Sequence, residues 1–392
     1  MSPPKILLLA TLPIGDTLLV EPTVRALRTR YPRATIVALT GSSSAPIWRC
    51  MPAIDNVLVL PVGQDWAGPR EFLHTLVEIR TGRYDIAIDF TSPALKWVSL
   101  IGGIHRRTYM KFDRLWWLIP RRHDRWRATH AVEHYYNCAR ELDLPAWDSF
   151  DHTPRLALPD SEQLAAVNFL RIMRTDQVRM LIGIHPGSAG LSALKRWPTY
   201  AFASMADQLC EQTNAEILLL GGPDERDLAY RISADMRHAP MDATGRVPLL
   251  ASFALIAACD LFIGNDSSLL HAAAALGTPY VGVIGPTSPA SFRPIASWSG
   301  QGRLVQPDPP CIEPRGFVGS SVIWERPRCR ECCAALSVMP PERVVSAALQ
   351  LLRARVSRPG DLNRDLARAG RIQIDQQHTL PLPKEHVAVG DR

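Results

Sequence analysis

Lysine is scarce in this chain: of 44 basic residues only Lys5, Lys96, Lys111, Lys195 and Lys384 are lysines. Arginine is therefore the default cation, and a lysine standing alone in a loop draws notice. No stretch approaches ~18 consecutive apolar residues, which excludes a membrane-spanning helix. The opening MSPPKILLL is too short and unflanked for a signal peptide and reads as a first strand, so the expected location is the cytoplasm. No G-x-G-x-x-G follows that strand, which disfavours a nicotinamide enzyme. Cysteine is sparse too. Four of the eight, Cys50, Cys138, Cys210 and Cys259, are scattered as buried thiols of a reducing compartment would be.

What is present is ordinary for a globular protein, at 46% hydrophobic and 21% charged residues. The 392 residues predict two domains or three. A formal charge of +6 matches one window, residues 105–130 (HRRTYMKFDRLWWLIPRRHDRWRATH), where eight Lys and Arg face two Asp.

Apolar runs of strand length alternate with helical patterns. Strands are expected at 6–10, 35–39, 57–60 and 86–89, with helices at 16–30, 72–81 and 130–142. Residues 151–160 (DHTPRLALPD) read as a connector, followed by a helix at 161–173. The rhythm then restarts, with strands at 181–185, 217–220, 261–264 and 281–284 and helices at 200–212, 225–236 and 249–258. This is a βαβ rhythm, so two α/β units with parallel, doubly wound sheets are expected, without a sequence repeat. Ligands in such folds bind at the carboxyl ends of strands. Residues 357–392 lose the pattern and read as a flexible tail.

The stretch FIGNDSSLLHAAAALGTPYVGVIGPT, residues 262–287, puts four capping-type residues between a buried strand and a small-residue helix. They can cap that helix, with Gly277 closing its other end. They can equally mark an anion site, where first-turn N–H groups and the helix dipole face a ligand and His271 reaches the same place.

Three further strand ends carry unusual residues: LATLPIGDTLLVEPTVRAL (9–27), IGIHPGSAGLSALKRWPTYAFASMADQL (182–209) and ILLLGGPDERDLA (217–229). In this order, with DIAIDF (85–90) and VMPPERVVSAALQLL (338–352), they resemble glycosyltransferase family 9, the ADP-heptose:lipopolysaccharide heptosyltransferases, over roughly residues 5–350. The resemblance implies a GT-B fold, two Rossmann-like doubly wound domains facing a cleft. Residues 1–155 would bind the acceptor and 156–356 the nucleotide sugar. It also implies an inverting mechanism that needs no metal.

Within that family Asp16 matches the catalytic aspartate; from position alone it could instead cap its helix. Lys195 matches the lysine on the donor phosphates, where an ordinary loop lysine would only be solvated. Gly187 and Ser188 fit a loop offering N–H and hydroxyl donors. That loop is longer than in some relatives, leaving open which serine meets phosphate. Asp266, Ser267, Ser268 and His271 match the diphosphate loop, with Asp266 capping or binding sugar hydroxyls and Ser268 standing where relatives often carry Gly. Glu225 matches an acidic residue that accepts from ribose hydroxyls, or is a first-turn Glu favoured by the dipole.

The basic, aromatic window suits an anionic glycolipid or the inner membrane surface that holds it, through Arg106, Arg107, Arg121 and Arg122. An inert loop is the plainer reading, and nucleic acid is disfavoured because no recognition motif accompanies it. Cys311, Cys329, Cys332 and Cys333 have the spacing of a structural Zn or Fe site, with reduced thiols as the alternative. The expected activity is transfer of heptose from ADP-heptose to a lipopolysaccharide core. The alternatives are transfer to a protein or another glycan, a sugar-nucleotide epimerase or hydrolase, and a non-catalytic nucleotide-binding module.

Overall fold

KILLL, residues 5–9, alternates its side chains between two buried layers, and this explains why a strand can be apolar at every position. Ile6 and Leu8 enter one apolar cluster, Leu7 and Leu9 another. The computed structural model describes residues 3–60, 68–90, 96–109, 129–174, 176, 179–188, 193–296, 300–308, 310 and 334–356. Arg121, Arg122, Cys311, Cys329, Cys332, Cys333 and the expected tail lie outside them.

The strands in the first half are β1 (Lys5–Leu9), β2 (Thr35–Thr40), β3 (Asn56–Val59), β4 (Ile86–Asp89) and β5 (Arg106–Tyr109). Those in the second are β6 (Leu181–His185), β7 (Glu216–Leu219), β8 (Met241–Asp242), β9 (Leu261–Asn265), β10 (Tyr280–Val283) and β11 (Gly302–Val305). They form two sheets, ordered β3-β2-β1-β4-β5 and β11-β10-β9-β6-β7-β8. Every pairing is parallel. Each sheet winds outward from its first strand in one direction and then in the other. The strand order therefore reverses between β1 and β4, and again between β6 and β9. Those reversals leave crevices at the carboxyl ends, where a doubly wound sheet takes its ligand.

The layer between the sheets belongs to both halves. Ile6, Leu8 and Leu18 share one cluster with Phe253, Phe262 and Leu270. The second sheet buries Ile182, Ile184, Leu261 and Ile263 on its other face, under Phe202 and Val344. Because the middle layer is shared, the described residues form one compact unit. Truncating a core leucine of this kind typically costs ~2–5 kcal/mol.

Two helix N-termini meet across the layer. The helix Ile14–Arg30 follows β1, and the helix Ser268–Ala275 follows β9. A Cβ on Gly15 would lie 3.6 Å from the Ser268 Cα and 3.7 Å from the His271 ring. Three edge strands, β5, β8 and β11, stand where no strand was expected.

Candidate active site

Asn265 ends β9 fully buried and holds the second crevice together. Its Nδ2 donates to the Pro186 carbonyl at 2.7 Å, and its Oδ1 accepts the Trp197 N–H at 3.1 Å. The indole of Trp197 is buried and donates to the Met339 carbonyl at 3.2 Å. Two residues before this anchor, Lys195 is delivered to the crevice, where its Nζ lies 2.6 Å from Asp266 Oδ2. Burial alone would raise the Asp266 pKa. The charge and hydrogen bond of Lys195, then His271 and the Thr287 hydroxyl, outweigh it and hold the carboxyl below its usual range.

The capping reading of 265–268 does not hold. Ser267 is the N-cap of the following helix, yet no side chain caps that helix. Ser267 Oγ instead bonds His185 Nδ1 at 2.9 Å, and Asp266 takes Lys195. Polar residues that could have closed the helix end cross-link neighbouring loops, and the first-turn dipole faces the crevice without a side-chain cap.

His185 continues the chain of bonds, its Nε2 lying 2.9 Å from Glu225 Oε2. Glu225 also accepts the Gly222 N–H at 2.9 Å, so it is both a helix-start residue and a partner of the β6 exit. Burial works against its charge, but the His185 bond and the Gly222 N–H outweigh burial and lower its pKa. Gly187 is dictated by this carboxylate: an added Cβ would fall 1.6 Å from Glu225 Oε1. Ser188 is buried beside it, its carbonyl accepting from Arg196 at 2.9 Å.

His271 is 7% exposed, and its Nδ1 has no hydrogen-bond partner among the described residues. Burial pushes its pKa down to about 4, against the pull of Asp266. The imidazole is neutral near pH 7 and gains charge readily if an anion arrives.

Asp16 stands in the first turn of Ile14–Arg30, half-buried. Desolvation raises its pKa to about 6, opposed by a hydrogen bond from Tyr135 (hydroxyl to Oδ1, 2.9 Å) and by the charge of Lys195, and reinforced by Asp266. Asp16 is thus within electrostatic reach of two residues from the other sheet. A carboxylate ionised at neutral pH, yet more basic than usual, suits a general base.

Polar residues at strand ends and the resemblance to family 9 singled out Asp16, Lys195, Asp266 and His271, and the structure converges them. It does not bring Arg106 and Arg107 along. They pair with Ile86 and Ala87 at the amino-terminal part of β5, three and two residues short of Tyr109 at its carboxyl end. At ~3.3 Å per residue, Arg106 is about 10 Å below the edge where Asp16 stands. Both are exposed, and Arg106 donates to the Glu141 carbonyl at 3.4 Å. Among the described residues no group of His, Cys, Asp or Glu could hold a metal. Tyr135, His185 and Asn265 carry contacts that no local spacing revealed.

The family profile described as Glycosyltransferase family 9 (heptosyltransferase) matches residues 74–313, more than half of the chain. The chain belongs to this family. The glycosyltransferase is 27% identical to lipopolysaccharide heptosyltransferase 2 of Escherichia coli K12 over 320 residues, 77% of this chain and 88% of that one. The solved structure of E. coli ADP-heptose lps heptosyltransferase II superposes with a TM-score of 0.68 at 23% identity, covering 90% of this chain and 100% of that one. A glycosyl transferase family 9 structure from Veillonella parvula DSM 2008 reaches 0.73 at 21% identity, covering 90% and 98%. The glycosyltransferase has the expected GT-B fold, with Rossmann-like parallel sheets. Among its described residues no helix is long and apolar enough to cross a membrane.

Proposed function

We propose that this glycosyltransferase moves heptose, with inversion, from ADP-heptose to a lipopolysaccharide core acceptor. The observation that carries the proposal is Asp16 facing Lys195, Asp266 and His271 from the opposite half. The name of the E. coli relative supplies the sugar and the acceptor class.

In this reading the donor lies along the carboxyl edge of the second sheet. Its ribose meets Glu225, and its diphosphate lies against Lys195, His271 and the N-terminus of Ser268–Ala275. Asp16 takes the proton from an acceptor hydroxyl as that oxygen attacks the anomeric carbon from the face opposite the diphosphate. The bond from that carbon to the phosphate oxygen breaks, and its electron pair leaves with ADP. Lys195 and the helix N-terminus meet the developing charge.

Residues up to 155 would serve the acceptor and residues 156–356 the donor. Arg121 and Arg122 are the basic residues proposed to meet an anionic glycolipid, with the protein working on the cytoplasmic face of the membrane. Reversing their charge should raise the acceptor KM and leave ADP affinity unchanged. The Cys311, Cys329, Cys332 and Cys333 group is proposed to hold a structural Zn or Fe, which metal analysis of the purified protein checks.

The deciding experiment combines ADP-heptose, a heptose-deficient core acceptor and the enzyme, with mass analysis of the products. A core enlarged by one heptose supports the proposal. A modified protein acceptor, or ADP-heptose consumed without any acceptor, would replace it. Asp16→Asn should lower kcat at least ~10²-fold, as loss of a general base does. Turnover within threefold of wild type would remove Asp16 from that role.

A further inference from the structure

Among the described residues, an uncharged side chain that donates to Asp16 comes from far along the chain. Tyr135 lies 119 residues on, in the helix Ala131–Cys138. It is fully buried, its ring packed edge-on against Phe90 with centroids 6.1 Å apart. A tyrosine buried so completely needs a partner for its hydroxyl. Here the hydroxyl donates to Asp16 Oδ1 at 2.9 Å, the carboxylate read above as the base.

We propose that Tyr135 is the positioning residue of the transfer reaction: its hydroxyl occupies Oδ1 of Asp16 and thereby presents Oδ2 to the acceptor hydroxyl. This rests on the reading of Asp16 as the base. The terminal torsion of an aspartate is soft and broadly two-fold, so an untethered carboxylate samples many orientations of its lone pairs. A hydrogen bond to one oxygen fixes the plane of the group and leaves one oxygen for the chemistry. The acceptor proton moves to Oδ2, and the phenol proton stays where it is. Burial and the neighbouring Asp16 push the pKa of Tyr135 well above the ordinary tyrosine value, so it keeps its proton and remains a donor throughout.

Among the described residues, the charged and titratable groups acting on this pair come from both halves. Lys195 and Asp266 act on Asp16 from the second sheet, and the His271 ring lies beside Gly15. Cys138 is the further titratable group acting on Tyr135. Tyr135 and Lys195 favour the ionised base, and Asp266 opposes it. The helix that carries Tyr135 is itself fixed to the second half. Its N-cap, His130, accepts the Val132 N–H on Nδ1, so Nε2 carries the proton and donates to the Arg293 carbonyl at 2.8 Å.

Tyr135→Phe removes the hydroxyl and keeps the ring that packs on Phe90. ADP affinity should stay within about twofold, which also reports an intact fold, because ADP is read to lie on the second sheet. At pH 9 the base is ionised in both proteins, so a fall in kcat of about tenfold or more there reports lost positioning alone. The acid limb of kcat/KM should move upward by about one pH unit, since a donor that favours the carboxylate is gone. Wild-type kcat at pH 9 with an unmoved limb, while Asp16→Asn is inactive, would make Tyr135 a packing residue and overturn the proposal. A loss of ADP affinity equal to the loss of turnover would do the same. If Asp16→Asn keeps wild-type turnover, the base reading falls first and this proposal falls with it.

Discussion

Lys195→Ala separates the ion pair this side chain makes from the donor contact proposed for it. Its ammonium lies 2.6 Å from Asp266, with 23% of the lysine side chain and 6% of the aspartate side chain exposed. Removing one member of a buried pair costs ~3–5 kcal/mol, because the other charge is stranded. The lower end applies here, since the lysine reaches water. If Lys195 holds the diphosphate as proposed, the same change also deletes a charge-assisted bond worth ~1.5–3 kcal/mol, or roughly 10- to 150-fold in ADP affinity. A second substitution tells the two losses apart. In Lys195→Ala with Asp266→Asn no charge is stranded, so stability should largely return and ADP affinity should not. Urea unfolding measures the first quantity and calorimetry with ADP the second. Wild-type affinity in either variant would reduce Lys195 to a structural partner of Asp266 and place the diphosphate elsewhere.

With Asp16 as the proposed base, wild-type kcat/KM should fall about tenfold per pH unit below pH 6, because its pKa is raised to about 6; a flat profile from pH 5 to 8 would contradict this. Bound diphosphate should raise the pKa of His271 from about 4, so ADP binding takes up protons near pH 5–6. Calorimetry in buffers of different ionisation heat detects that uptake, and His271→Ala should reduce it. Gly187→Ala sets a Cβ 1.6 Å from Glu225 Oε1, which forces the carboxylate off His185. A loss of ~1–3 kcal/mol with weaker ADP binding is expected, whereas Gly41→Ala, whose Cβ would meet nothing within 4 Å, should leave both unchanged.

What could be read from the sequence follows burial. Strands β1, β4, β6, β7, β9 and β10 are covered on both faces and so appear as apolar runs. RRTY, MD and GRLV sit at sheet edges, where pairing on one side suffices and no apolar run is needed. RRTY was therefore read only as part of a basic patch. Asp16 and Asp266 are legible because polar residues interrupt apolar runs at strand ends, His271 because it lies one turn into the helix that follows, and Lys195 because lysine is scarce and the loop resembles the family's. Tyr135 was not, because its contact with Asp16 spans 119 residues and its spacing marks it only as one apolar position of an amphipathic helix. The capping reading of Ser267 failed for a related reason: His185, 82 residues away, takes the hydroxyl that local sequence would assign to the helix end.

The bond from His130 reaches a main-chain carbonyl, that of Arg293, and so does the 3.4 Å bond from the Thr153 hydroxyl to Ala296. Any residue supplies a carbonyl. Positions 293 and 296 can therefore change without losing these joins, while positions 130 and 153 cannot. A chimera that keeps the first half of this chain and takes its second half from a relative would retain both joins if the backbone path of 293–296 is preserved. At these two joins the seam tolerates exchange on one side only, so recombination has a direction: the second half can be exchanged while the first stays fixed, provided Phe253, Phe262 and Leu270 keep their packing on Ile6, Leu8 and Leu18.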